Sequence, residues 1–98
     1  MPLIPLTAIA AQLPQAWTSQ IQAHVGSTRI KVLRMDSCDY PDETHDYAEG
    51  LLVLEGEMQL TVQGTPVTVA AGELYMVPAG TPHAVAPGSH GTLVILDI

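Results

Sequence analysis

Glu43-Thr44-His45-Asp46-Tyr47-Ala48-Glu49-Gly50-Leu51-Leu52-Val53-Leu54-Glu55-Gly56 places His45 and Glu49 four residues apart, directly ahead of an apolar run that stops at Glu55-Gly56. Thirty-eight residues after His45, His83 closes the stretch Pro78-Ala79-Gly80-Thr81-Pro82-His83. Each of the three leads into or out of a β pattern, so they meet only if the strands lie side by side. Two imidazoles and one carboxylate brought together in this way form a three-ligand site of the kind first-row metals occupy. Residues two apart in a strand share a face. Read as one extended segment, 43–54 turns Glu43, His45, Tyr47 and Glu49 the same way as Leu51 and Val53, into a barrel interior. Polar groups among Val and Leu are costly to bury without a partner, and a divalent cation would satisfy them together.

Working outward, turn signals recur every eight to ten residues with no long helical period, which predicts an all-β sandwich or barrel. On the C-terminal side, Glu55-Gly56 is expected to turn the chain. Met58, Leu60 and Val62 then alternate as a half-buried strand, Gln63-Gly64-Thr65-Pro66 turns again, and Val67–Val69 is short. Ala71-Gly72-Glu73 leads into Leu74–Val77, Pro78–Thr81 turns into His83–Ala86, and Pro87-Gly88-Ser89 precedes Thr92–Ile98. On the N-terminal side, 36–42 reads as a loop, with Cys38 a plain member of it. Gly26-Ser27 makes a hairpin turn between Thr28–Met35 and a segment whose alternation of Trp17, Ser19, Ile21, Ala23 and Val25 reads as a strand, with a helix through Leu13, Trp17 and Ile21 as the alternative. Thr7 is expected to cap a short helix over Ala8–Leu13, ended by Pro14. Met58 and Met76 read as gap-filling core, and His24 and His90 as surface residues. Arg29 and Lys31 read as a solvated face; turned inward, they would bind a substrate carboxylate.

The 98 residues predict one domain, 1–98. A chain of this size buries about 65% of its unfolded surface. With no Phe and one Trp, the core must come from Val, Leu, Ile, Ala and Met. A core that thin is expected to extend across a homodimer interface. Net charge is −7, and the three basic residues, Arg29, Lys31 and Arg34, share one six-residue window. No basic patch exists to neutralise phosphates, which argues against nucleic acid; the acidity serves solubility. One cysteine fits a reducing compartment. The apolar N-terminus is broken by Pro2, Pro5 and Pro14 and carries no basic residue before Arg29, unlike a signal peptide. No run approaches the ~18 apolar residues of a membrane helix. A cytoplasmic protein without membrane attachment is expected.

The pattern His45-x3-Glu49-x6-Gly56, followed by Gly72-x5-Pro78-x-Gly80-x2-His83, resembles the two motifs of the cupin superfamily. The match covers about residues 40–87, and the strand rhythm suits the remainder. The resemblance implies a single-domain double-stranded β-helix (jelly-roll) barrel, preceded here by a short helical segment, with metal ligands at His45, Glu49 and His83. Two positions depart from the family pattern. Glu43 stands where a further His is usual, and Pro87 stands where Asn is frequent. Glu43 is then a carboxylate ligand, a neighbouring acid or base, or a solvent-facing residue. Tyr47 packs, or donates to a bound ligand.

Two His and one carboxylate is the composition of the facial triad of non-haem iron enzymes, and the same set suits Zn, Mn or Ni. The resemblance implies a metal-dependent dioxygenase, isomerase or decarboxylase acting on a small polar molecule, with Glu43 or Tyr47 moving the proton. The family also contains non-catalytic ligand-binding barrels, and Glu43 in place of His raises a third reading, a barrel that has lost its metal and serves as a structural dimer. Residues 1–16 are too short for a helix-turn-helix, which argues against a self-contained regulator. Bound metal would exclude the structural reading, and turnover would separate an enzyme from a binding module.

Overall fold

The computed structural model describes residues 2–38 and 40–98. Met1 and Asp39, the latter inside the expected loop 36–42, lie outside the described residues. One helix, α1 (Leu6–Gln12), precedes eight strands: β1 (Gln20–Val25), β2 (Thr28–Asp36), β3 (Tyr40–Glu43), β4 (Glu49–Val62), β5 (Thr65–Ala70), β6 (Leu74–Val77), β7 (His83–Val85) and β8 (His90–Asp97). All pairings are antiparallel. The sheet runs β1-β2-β8-β4-β7-β3, with β5 and β6 also paired to β4. The all-β expectation holds.

The 14-residue β4 organises the curled sheet. Its first half lies between β8 and β6, and its second half between β5 and β7. Glu55-Gly56, expected to turn the chain, instead kinks it in mid-strand, where the register to β8 shifts between Val53 and Glu55. Gly56 (φ 76°) faces Gly91 (φ 101°) across the ladder. A Cβ on Gly56 would strike the His90 carbonyl, and one on Gly91 the Glu55 carbonyl. The glycines mark a close backbone approach at a bulge rather than a chain reversal. The bulge also exchanges the two faces of the strand. Leu51 and Val53 point into the barrel before it, and Met58 and Leu60 after it, all at most 4% exposed.

Two apolar layers result. Leu33, Met35, Leu93 and the β4 residues fill the barrel. Val32 and Val94, of opposite parity, join Ala10 and Leu13 beneath α1 on the outer face. Both faces of β2 are therefore occupied, and Arg29 and Lys31 share the inward parity of Leu33 and Met35.

Local corrections follow from backbone constraints. The helix starts at Leu6 rather than Ala8. Pro5 stands at its N-cap with no side-chain cap, and the Pro5 carbonyl accepts from the Ile9 amide at 3.0 Å; Thr7 lies in the first turn and caps nothing. Trp17 precedes β1 instead of belonging to it. Its backbone turns at φ 63°, and its N–H donates a hydrogen bond of 2.9 Å to the Arg34 carbonyl. The loop after β2 is shorter than expected because β3 begins at Tyr40. Met76 is 53% exposed on β6, whose inward positions are Tyr75 and Val77. Gly26-Ser27 does connect β1 to β2, and Gln63-Gly64, both at positive φ, joins β4 to β5 as a tight hairpin.

Candidate metal centre

Three strand ends deliver the site. β3 stops at Glu43, which pairs with His83 at the start of β7. β4 opens at Glu49 beside Val77, the last residue of β6. Residues 44–48 between them are irregular, so 43–54 is not one extended segment. The Gly80 amide donates to the His45 carbonyl at 2.7 Å, which straps this loop to the Pro78–Thr81 turn. Glu43, His45, Tyr47 and Glu49 still line one cavity. The strap, rather than strand alternation, turns His45 inward.

The four acidic and imidazole groups Glu43, His45, Glu49 and His83 each offer a ligand atom, and these atoms lie within 4.8 Å of one another. Glu49 and His83 are each 5% exposed. His83 Nδ1 lies 3.0 Å from the Thr81 carbonyl. A carbonyl only accepts, so Nδ1 carries a proton, and in the neutral ring Nε2 is left with its lone pair. That Nε2 lies 3.1 Å from Glu49 Oε1. His45 Nε2 is 3.4 Å from Glu43 Oε2 and 3.6 Å from Glu49 Oε2, yet it is buried with no hydrogen-bond partner. Lone pairs and carboxylate oxygens thus face one another, an arrangement favourable only with a proton or a cation between them. The Thr81 contact is also the outer hydrogen bond that orients a metal-binding imidazole. By donor type, convergence and the unsatisfied Nε2, the residues fit a first-row divalent metal.

The cavity these groups face has a volume of about 200 Å³. Part of its wall is apolar: Leu33, Leu51, Met58, Leu60 and Leu93. Trp17 and Tyr40 stand in contact at its rim, ring centroids 5.9 Å apart, with the Trp17 indole donating to Asp36 at 2.5 Å. Trp17 precedes β1 and Tyr40 opens β3, so this pair joins the two edges of the sheet order. Tyr47 stacks on His45, centroids 5.0 Å apart and planes 16° from parallel. Burial, then the Asp97 and Glu49 carboxylates, raise the Tyr47 pKa above its ordinary value. The Glu43 carboxylate, then burial, do the same for Tyr40. Both phenols therefore keep their protons as donors at neutral pH.

A second charged group shares the cavity wall. Asp97, 2% exposed, meets Arg29 Nε through Oδ1 at 2.8 Å and Lys31 Nζ through Oδ2 at 2.7 Å. Burial alone would raise its pKa, but the bonds from Lys31 and Arg29 outweigh it and hold the carboxyl below its ordinary value. The solvated face expected for Arg29 and Lys31 is thus corrected, because their charges turn to a buried carboxylate. Asp97 escaped the sequence reading. Its signal was a lone acid in the apolar run Thr92–Ile98, in phase with inward Leu93 and Ile95. His24, His90 and Cys38 are exposed, away from the site.

The cupin domain family profile matches residues 35–98, about two thirds of the chain, and the protein belongs to the cupin family. Among solved structures, a cupin-2 domain protein from Shewanella frigidimarina superposes with a TM-score of 0.88 at 22% identity, covering 97% of this chain and 93% of that one. A Neisseria meningitidis protein gives 0.84 at 24% identity, covering 98% of both chains. A hydroquinone 1,2-dioxygenase in complex with Fe3+ gives 0.77 at 14% identity, covering 90% of this chain and 29% of the enzyme. At these identities the likeness is one of fold. Comparison with curated proteins returned no match. Among the described residues, no helix is long and apolar enough to cross a membrane.

Proposed function

We propose that this cupin is a metal-dependent enzyme acting on a small molecule inside the barrel, with His45, Glu49 and His83 as metal ligands. The observation that carries the reading is the convergence of two imidazole Nε2 atoms and two carboxylates, with His45 Nε2 buried and unpartnered. A divalent cation there would polarise a carbonyl or hydroxyl, or activate dioxygen. The protein's own residues supply the rest. The Thr81 carbonyl fixes the His83 tautomer, Tyr47 donates a hydrogen bond to the ligand, and the apolar part of the wall packs against its carbon skeleton. Glu43, the most exposed of the four with a side chain 35% accessible, accepts and returns a proton. The distance set also favours a second reading, in which Glu43 is a fourth ligand. Glu43→Gln separates the two, because retained metal assigns it the proton and lost metal assigns it coordination.

The test is elemental analysis of untagged protein beside the His45→Ala/His83→Ala double variant. About one first-row metal per chain, absent from the variant, is expected. Iron is the first candidate, since one fold relative is described with Fe3+, ahead of Zn, Mn and Ni. Unchanged metal content in the variant would overturn the ligand assignment. No metal even after reconstitution would leave a metal-free binding barrel. Dioxygen uptake or product formation then separates an enzyme from a non-catalytic metal-binding module.

We also propose a cytoplasmic homodimer. The single cysteine suits a reducing compartment. Leu74 and Met76 on β6, 50% and 53% exposed, continue the half-buried outer row of Leu52, Leu54 and Leu96 beyond the reach of α1, and a second copy would cover them. Sedimentation as a monomer at micromolar concentration would overturn this assignment.

A further inference from the structure

We infer that Lys31 is a specificity-determining residue, the receptor for the carboxylate of a small monoanionic ligand whose other end reaches the metal centre. This rests on the metal reading above. Lys31 is one of three basic residues in the chain, and its side chain lines the cavity. It sits on the row Lys31–Ile95–Leu51 across β2, β8 and β4. Glu49 stands one inward position beyond Leu51 on β4. β8 lies between β2 and β4 in the sheet, so the Lys31 and Leu51 positions are two strand spacings of about 4.8 Å each apart along the cavity floor.

Ion pairing does not exhaust Lys31. An ammonium has three donors, and among the described residues its acceptor is Asp97 Oδ2. At 2.7 Å that ion pair occupies one of the three. Asp97 does not depend on Lys31 for neutrality, since Arg29 Nε bonds its other oxygen at 2.8 Å. Ser19 lines the same wall and offers a hydroxyl.

The charge balance selects the ligand. Glu43, Glu49 and Asp97 bring three negative charges to the cavity lining and Lys31 brings one positive charge, while Arg29 adds a second from behind the wall through its ion pair with Asp97. A divalent cation converts this deficit of one into an excess of one, which a single carboxylate cancels. Arg29 is committed to Asp97 and to the Ile98 carbonyl, so no free guanidinium fork is present to favour a phosphate. Some 200 Å³ limits the ligand to a few carbons.

The probes are straight-chain ω-hydroxy acids of three to six carbons and their neutral amides. They are titrated by calorimetry into zinc-loaded wild type, Lys31→Met and Lys31→Arg, with zinc content measured on the same samples. At least one acid is expected to bind wild type tenfold or more tightly than its amide. Lys31→Met should erase that preference at unchanged zinc, and Lys31→Arg should restore most of it. The Lys31→Met/Asp97→Asn pair, which keeps the wall's net charge, covers the case in which the single variant misfolds. Equal binding of acid and amide, no binding of any acid to the zinc protein, or a preference that survives Lys31→Met would overturn the assignment while leaving the metal centre standing. Failure to take up zinc would overturn the metal centre itself, and the anion argument with it.

Discussion

Two charged clusters share one cavity, and they are built on opposite principles. At the β2–β8 wall, Asp97 is matched by two cations, with oxygens and nitrogens 2.7–2.8 Å apart. At the meeting of β3, β4 and β7, two carboxylates meet two imidazoles, and one Nε2 has no hydrogen-bond partner. In the first cluster the buried negative charge is matched by cations within the cluster. The second is complementary only to something positive placed at its centre. A chain of this length has a narrow stability margin, so an arrangement that weakens the folded protein when empty points to what it is for.

The largest effect expected from this contrast is on metal-linked stability. A cation at a thousand times its dissociation constant stabilises the folded state by about 4 kcal/mol. Zinc or iron should therefore raise the unfolding temperature of wild type well above that of metal-free protein, and His83→Ala should abolish the increment. An equal increment in His83→Ala would place the cation elsewhere.

Next comes the charge-matched cluster. Asp97→Asn leaves Arg29 and Lys31 crowded without their counter-charge. Removing one member of a buried pair costs about 3–5 kcal/mol; with the Arg29 side chain 34% exposed, about 2 kcal/mol is expected in denaturant unfolding, with or without metal. The acid limb checks the sign. The Asp97 carboxyl is held below its ordinary value of 3.8. Its contribution is therefore complete above that value and is lost as pH falls below it toward the folded pKa. Wild type should lose its advantage over Asp97→Asn in that window. A constant gap down to pH 2 would show that the ion pairs contribute nothing.

How far each cluster was legible follows the same division. His45, Glu49 and His83 carry a spacing and fixed glycines and prolines, so they could be read in sequence. Glu43 came with them, although the reason offered, one continuous strand, is wrong: Glu43 is placed by its pairing with His83 and His45 by the Gly80 strap, and a hydrogen bond between two loops leaves no periodic trace. Asp97 with Arg29 and Lys31 has no motif, because pairing across 68 residues is set by the register of β2 on β8. The Glu55-Gly56 signal misled for a related reason. A glycine needed for close approach of two strands looks, in one dimension, like a glycine needed for a turn. Only the change of buried parity, from Leu51 and Val53 to Met58 and Leu60, tells the two apart, since a bulge exchanges faces within one strand.

The smallest effect is the sharpest test. Glu49→Gln makes the same chemical change as Asp97→Asn, a nearly buried carboxylate to its amide. In the metal-free protein it removes one of two carboxylates that face each other and supplies an N–H donor to an imidazole nitrogen that lacks one. Its stability should change by less than about 1 kcal/mol, and a gain would fit, in contrast to the loss at Asp97. In metal-loaded protein the order reverses: Glu49→Gln forfeits most of the metal increment, while Asp97→Asn keeps it. The measurement is a pair of unfolding curves for each variant, with chelator and with metal. If Glu49→Gln instead costs as much as Asp97→Asn under chelator, then Glu49 is held by a His83 imidazolium. The second cluster would then hold its own counter-charge like the first, and its empty form would carry no demand for a cation.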